Sequence, residues 1–189
     1  LTFAEQARVG DLGVELVRRW IVSEGFCLEG RHVVVEKGTH AREIQQRLGD
    51  LIIQSAKDRA LVSIEVKAEL QSTGNLFIET WSNSTPGPRQ RVGWLHRLEC
   101  DALIYTFLDS GQTLIFPFQD LKRWALTGGA DGDGRIYDFR LVAQSKNRQL
   151  NVTEGHIVPI RVLLSEIASA HEFWIAVKGS HGARFRFAS

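Results

Sequence analysis

Two short stretches hold the residues whose types and spacing suit chemistry. In SIEVKAEL (residues 63–70) Glu65 and Lys67 stand two apart inside an aliphatic run, and in DLII (residues 50–53) Asp50 opens a second such run. Side chains alternate along a strand, so Val62, Ile64, Val66 and Ala68 share one face of the first stretch while Leu61, Ser63, Glu65 and Lys67 share the other. The first face is core. The second reads most simply as a face turned to water, as one face of an antiparallel sheet commonly is. The polar residues 56–59 between the two runs signal a hairpin, whose paired residue numbers sum to about 115 and set Asp50 opposite Glu65. Opposed like charges destabilise a strand pair by up to ~1 kcal/mol, so two carboxylates there call for a cation between them. Mg²⁺ fits, because it needs one or two carboxylates, keeps several waters and completes its shell with phosphate oxygens. Lys67, on the same face, stands where it can hold a water or a scissile phosphate. Asp, Glu and Lys around a metal-activated water suit phosphodiester hydrolysis.

Asp50 followed by Glu65-Val66-Lys67 on the next strand resembles the PD-(D/E)XK nuclease superfamily, whose members place an acid at the start of one strand and (D/E)-x-K on the following one. G-x-x-G-x-E from Gly10 to Glu15, with Gly25-Phe26 after it, is similar to the opening of resolvase-like members, and FIETWSN (residues 77–83) resembles their polar third strand. The match spans roughly residues 5–110, with Gly49 where the family name has Pro. The resemblance implies a restriction-endonuclease-like fold and a Mg²⁺ ion, replaceable by Mn²⁺. Asp50, Glu65 and the backbone carbonyl of Val66 would hold it, with Glu15 completing or orienting the shell and Glu79 as an auxiliary. Lys67 would position and polarise the attacking water, and DNA, rather than RNA, would be the substrate.

PRQRVGWLHR (residues 88–97) carries Arg89, Arg91 and Arg97 with Trp94 and no acid until Glu99. This is the composition of phosphate contacts beside an aromatic wedge or stacking platform, and equally that of a solvated loop with Trp94 packed inward. Lys178, Arg184 and Arg186 extend a basic tail. The histidines have no metal-ligand spacing, no P-loop or dinucleotide-binding glycine pattern occurs, and Asp131-Gly132-Asp133-Gly134 departs from a calcium loop at Arg135 and Ile136.

These residues need elements to position them. Leu12, Leu16, Val17, Trp20 and Ile21 recur at helical spacing over residues 3–23, and Gly25 supplies a stop. A strand with Val33, Val34 and Val35 follows over residues 26–36, then a helix over 40–50 and the motif hairpin. Further strands are expected over 75–82, 102–108 and 113–118, a brief helix over 94–99 and a longer one over 118–128. GGADGDG (residues 128–134) is the most flexible-looking stretch; beyond it come strands at 136–142 and 156–160 and a helix over 161–169. The pattern predicts an α/β or α+β fold with a mixed central β-sheet flanked by helices. Residues 1–127 form the core, 128–134 a loop, and 135–189 a C-terminal extension packed on the same domain.

A chain of 189 residues with 43% hydrophobic content can bury one substantial core. The 23 basic and 22 acidic residues leave a formal charge of +1, so any polyanion site is a local patch. Cys27 and Cys100 form neither a disulfide framework nor a zinc pattern, which points to a reduced, cytoplasmic compartment. No apolar run is long enough for a membrane span. A homodimer is compatible with double-strand cleavage, though no segment identifies an interface. The competing expectations are a nuclease-like binding or assembly module that does not cut, and a nuclease acting on RNA.

Overall fold

A computed structural model of the chain describes residues 3–25, 27–30, 47–54, 59–83, 91–147 and 151–177. The valine cluster at 33–35, most of the helix expected over 40–50, Arg89 and the basic tail with Lys178, Arg184 and Arg186 lie outside them.

A six-stranded sheet runs in the order β1 (Cys27–Gly30), β2 (Leu51–Gln54), β3 (Leu61–Glu69), β6 (Ala102–Phe107), β7 (Gln112–Pro117), β10 (His171–Trp174). It is mixed: β3 and β6 are parallel and the other neighbours antiparallel. Parallel neighbours need a long crossover. Here it comprises β4 (Asn75–Asn83), β5 (Arg91–Val92) and the short helix α2 (Trp94–Arg97). Those strands build a second, four-stranded sheet, ordered β5-β4-β9-β8, with β8 (Leu141–Asn147) and β9 (Asn151–Pro159) from the C-terminal part. The strand expected over 75–82 is therefore β4, which leaves the larger sheet to pair with β9 in the smaller one.

Helix α1 (Phe3–Ser23) covers one face of the larger sheet. Val14, Val17 and Ile21 pack on Leu51, Ile53, Ile64, Val66 and Ile104. Leu12, expected in that stripe, is 49% exposed, and Val9 and Val14 are buried instead. Gly13 sets how closely the helix approaches: a Cβ there would lie 2.3 Å from the Cβ of Ala68. Gly13→Val should therefore lift α1 off β3 at about 1–3 kcal/mol, the usual cost of overpacking, read as a lower urea midpoint.

Leu103, Tyr105, Phe107, Leu114 and Phe116 point from the opposite face into a second core. They meet Phe118 and Leu121 of α3 (Phe118–Leu126), Leu163 of α4 (Ile160–Glu166), and Leu76, Ile78 and Val158 of the smaller sheet. The C-terminal strands are woven into both sheets, β9 against β4 and β10 against β7. Residues 128–134 are closed by Gly134 N–H on the Gly128 carbonyl (2.9 Å) and Ala130 N–H on Asp138 (2.9 Å). The strand expected at 136–142 is a 3-10 helix (Arg135–Asp138) followed by β8: Ile136 is drawn fully into the core, and Arg135 is clamped by Asp138 and Glu166. Among the described residues no helix is long and apolar enough to cross a membrane.

Candidate active site

Positioning begins at Gly49. Its φ is +97°, a left-handed conformation that favours glycine, and a Cβ there would stand 2.6 Å from the Ile64 carbonyl oxygen and 2.7 Å from the Glu65 nitrogen. The chain thus turns hard against β3 and delivers Asp50 to it. Asp50 N–H donates to the Ile64 carbonyl (2.8 Å), and its Oδ2 accepts from Val66 N–H (3.0 Å). Leu51 pairs with Ile64 and Ile52 with Ser63, the register that sets Asp50 opposite Glu65, as the hairpin spacing predicts. Beyond Ile64 the ladder to β2 ends, and the Asp50 side chain takes the next bond. Because N–H and C=O of one strand residue point to the same side, the Val66 carbonyl also faces this open edge.

Glu65 and Lys67 do not lie on an open solvent face: Glu65 is buried and Lys67 only partly exposed. Along β3 they stand beside Leu103 and Tyr105 of β6, on the face that the crossover and smaller sheet cover. Glu65 is 8% exposed. Lys67 Nζ donates to Glu65 Oε1 (2.5 Å) and lies 5.9 Å from the centre of the Trp94 ring. Burial pushes the Glu65 carboxyl above its ordinary range and Asp50 adds to this, against the pull of Lys67 and Arg97. Burial works against the Lys67 charge as well, but Glu65, then Asp50 and Glu79, outweigh it and hold the ammonium above the ordinary lysine range. The Cys100 thiol is pushed up to about 12, first by burial and then by Glu65, and so is no nucleophile at neutral pH.

Asp50, Glu65, Val66, Lys67 and Trp94 line a cleft of about 920 Å³ that wraps around the open edge of β3. One wall is the first half of α1, with Gln6, Gly10, Asp11 and Val14; the other includes Phe77 and Glu79 of β4 and Thr153 of β9. Glu79 accepts a hydrogen bond from the Ser82 hydroxyl. Further along the same face of β3, Glu69 accepts one from the Tyr105 hydroxyl, and burial pushes its carboxyl up.

The expected site residues divide accordingly. Asp50, Glu65, Val66, Lys67 and Glu79 come together in the cleft. Glu15 does not line it: its carboxylate is held by Arg18 (2.8 and 2.9 Å) and Arg19 (2.7 Å), which lower it to about 2. The helix residues at the cleft stand nearer the N-terminus, and the acid among them is Asp11. Of the two readings of Trp94, stacking platform or packed inward, the structure gives the second: it is 4% exposed and packs 6.4 Å from Phe118, while still lining the cleft. Arg91 is exposed, whereas Arg97 is half-buried and near enough to Glu79 and Glu65 to feel both. Glu69 was within reach of the sequence, since it continues the alternation of 65 and 67. Asp11, Phe77 and Thr153 carry no local signal, because distant chain segments bring them to the cleft.

Among the described residues no three His, Cys, Asp or Glu side chains form a group that could hold a metal by themselves. The donor set is that of a sparser site. Asp50 Oδ1 and Glu65 Oε2 stand outside the bonds to Val66 and Lys67, and with the Val66 carbonyl they fit an ion that takes one or two carboxylates and completes its shell with water and phosphate. A divalent cation would also relieve the burial of one carboxylate beside another.

Comparison with known proteins returns no match: no family model, no curated protein and no solved structure.

Proposed function

We propose that the chain is a metal-dependent nuclease of the PD-(D/E)XK kind, with a restriction-endonuclease-like core, hydrolysing phosphodiester bonds in DNA in a cytoplasmic setting. The observation that carries this reading is the part-buried Glu65–Lys67 pair, with Asp50 at its shoulder, on an open strand edge inside a cleft. Such a charge group is costly to bury and gains nothing for the fold that apolar residues would not supply.

Asp50, Glu65 and the Val66 carbonyl would hold Mg²⁺ or Mn²⁺, which when bound supplies Lewis-acid charge at the phosphate and makes water more acidic. Lys67 does the positioning: its ammonium, kept charged by Glu65 and Asp50, holds the attacking water or a phosphate oxygen by donation and is a poor general base. Asp50 fixes the strand edge through Val66 N–H. Trp94 and Tyr105 limit the water around the pair from beneath.

Isothermal titration with Mg²⁺ and Mn²⁺ tests the metal half of this reading. Binding that Asp50→Ala removes supports it, and heat that Asp50→Ala leaves unchanged sinks it. DNA and RNA offered side by side separate the two substrate classes. A nuclease-like binding module that does not cut is the second reading, favoured by the withdrawal of Glu15 from the cleft. Glu15→Gln is expected to leave cleavage within about twofold and stability within ~0.5 kcal/mol, as for an exposed pair; a tenfold loss of cleavage would return Glu15 to the site.

A further inference from the structure

The cleft lining bears on which form of nucleic acid the proposed nuclease takes, an inference that rests on that reading of the site. Proteins that grip duplex DNA neutralise many phosphates with Lys and Arg. Here Lys67 is the one cation lining the cleft among the described residues, and Glu65 already holds it, while Asp11, Glu69 and Glu79 join the two proposed metal ligands as acids. A phosphate track along such a wall is favoured only close to Lys67 and a bound metal, and repelled along the acids elsewhere. The cleft has something else to offer.

Phe77 is half-buried in the wall, set against the backbone of Gly155, where a Cβ would come 2.7 Å from its ring. The Tyr105 hydroxyl donates to Glu69 and lies within reach of the Phe77 backbone, which places Phe77 at the Glu69 end of the cleft. At ~3.3 Å of rise per residue, that end lies about 7 Å along β3 from Lys67 and about 13 Å from Glu65. An aromatic residue lining the cleft at its acidic end suits a base rather than a phosphate. A duplex keeps its base faces stacked inside and cannot present one there. The cleft volume of about 920 Å³ also lies within the ~300–1,000 Å³ of sites that enclose small ligands, which is room for a few nucleotides of one strand.

We propose that the cleft takes single-stranded DNA, with a phosphate at Asp50 and Glu65 and the base of a neighbouring nucleotide stacked on Phe77. Affinity then comes from stacking and one metal-bridged phosphate, so it depends only weakly on salt.

The test is fluorescence anisotropy of the full chain with a short fluorescein-labelled oligodeoxynucleotide, single-stranded or annealed, in Mg²⁺ on a Lys67→Ala background, where cutting is slow enough for binding to be read first. The single strand should bind at least tenfold tighter than the duplex, with a log–log salt slope near −0.7 to −1.4, the value for about one or two phosphates. Phe77→Ala should weaken single-strand binding about 5- to 150-fold, the range of ~1–3 kcal/mol for one stacked base, and Phe77→Tyr should restore it. A thermal melt of each variant separates this from a folding defect: if Phe77→Ala unfolds, the comparison of Phe77→Tyr with Phe77→Leu, which keeps bulk without an aromatic face, decides. Equal or tighter duplex binding, a steep salt slope, or full single-strand affinity in Phe77→Leu overturns the proposal. These readouts stand apart from cutting: stacked single-strand binding without cleavage by the wild type would sink the nuclease reading alone, and duplex cleavage indifferent to Phe77 would sink this inference alone.

Discussion

Lys67→Ala should lower the stability of the metal-free protein by about 2–4 kcal/mol, and Mg²⁺ should return most of it. The loss arises because the substitution leaves the Glu65 carboxylate, only 8% exposed, without the ammonium 2.5 Å away and with Asp50 still beside it. Breaking a fully buried pair costs about 3–5 kcal/mol; the figure is smaller here because the Lys67 side chain is 31% exposed and water screens part of the attraction. A divalent cation binding the folded state alone replaces the missing charge and stabilises by linkage. Urea denaturation of the wild type and the variant, with and without Mg²⁺, measures both halves. A variant as stable as the wild type without metal would mean that Lys67 compensates nothing, and one that Mg²⁺ leaves unchanged would mean that Glu65 and Asp50 hold no cation.

Gly49→Pro should be more damaging still, although proline is what the motif's name places before the acid. Proline fixes φ near −65°, whereas Gly49 sits at +97°. Its ring carbons would also enter space where a Cβ already lies 2.6 Å from the Ile64 carbonyl oxygen. The expected outcome is a loss of about 3 kcal/mol or more together with loss of metal binding, since Asp50 can no longer donate to Ile64 or receive Val66 N–H. Gly49→Ala should lose about 1–3 kcal/mol from the same positive φ, plus the contact. Circular dichroism melts with a parallel Mg²⁺ titration read both. A Gly49→Pro protein that folds and binds metal normally would show that the turn into Asp50 can be made another way.

Local pattern and a single register made the heart of the cleft legible. The alternation of Ile64 and Val66 against Glu65 and Lys67, and a turn a few residues long, were enough to set Asp50 opposite Glu65, and the pairing of Leu51 with Ile64 agrees. The mixed sheet followed from the same order of elements. What closes over the site was not legible, because it is assembled from residues far apart in the chain. Glu79 lies opposite Gly155, so the wall carrying Phe77 exists only once β9 has folded back onto β4. Trp94 among its arginines could be read as a surface platform or as packed inward, and only Phe118 and the second core decide for the latter. Glu15 and Asp11 stand one helical turn apart, and only the lie of α1 across β3, set by Gly13 on Ala68, decides which of them reaches the cleft.

The most direct measurement is cleavage of supercoiled, linear, single-stranded and branched DNA by wild type and Lys67→Ala, with Mg²⁺ or Mn²⁺ and with EDTA. The wild type should cut at least one substrate in a metal-dependent way, abolished by EDTA and slowed about 10²- to 10³-fold in Lys67→Ala, the usual scale for one electrostatic group at a reacting centre. Wild-type protein that cuts none of them, or Lys67→Ala protein that cuts as fast as wild type, would contradict the nuclease reading.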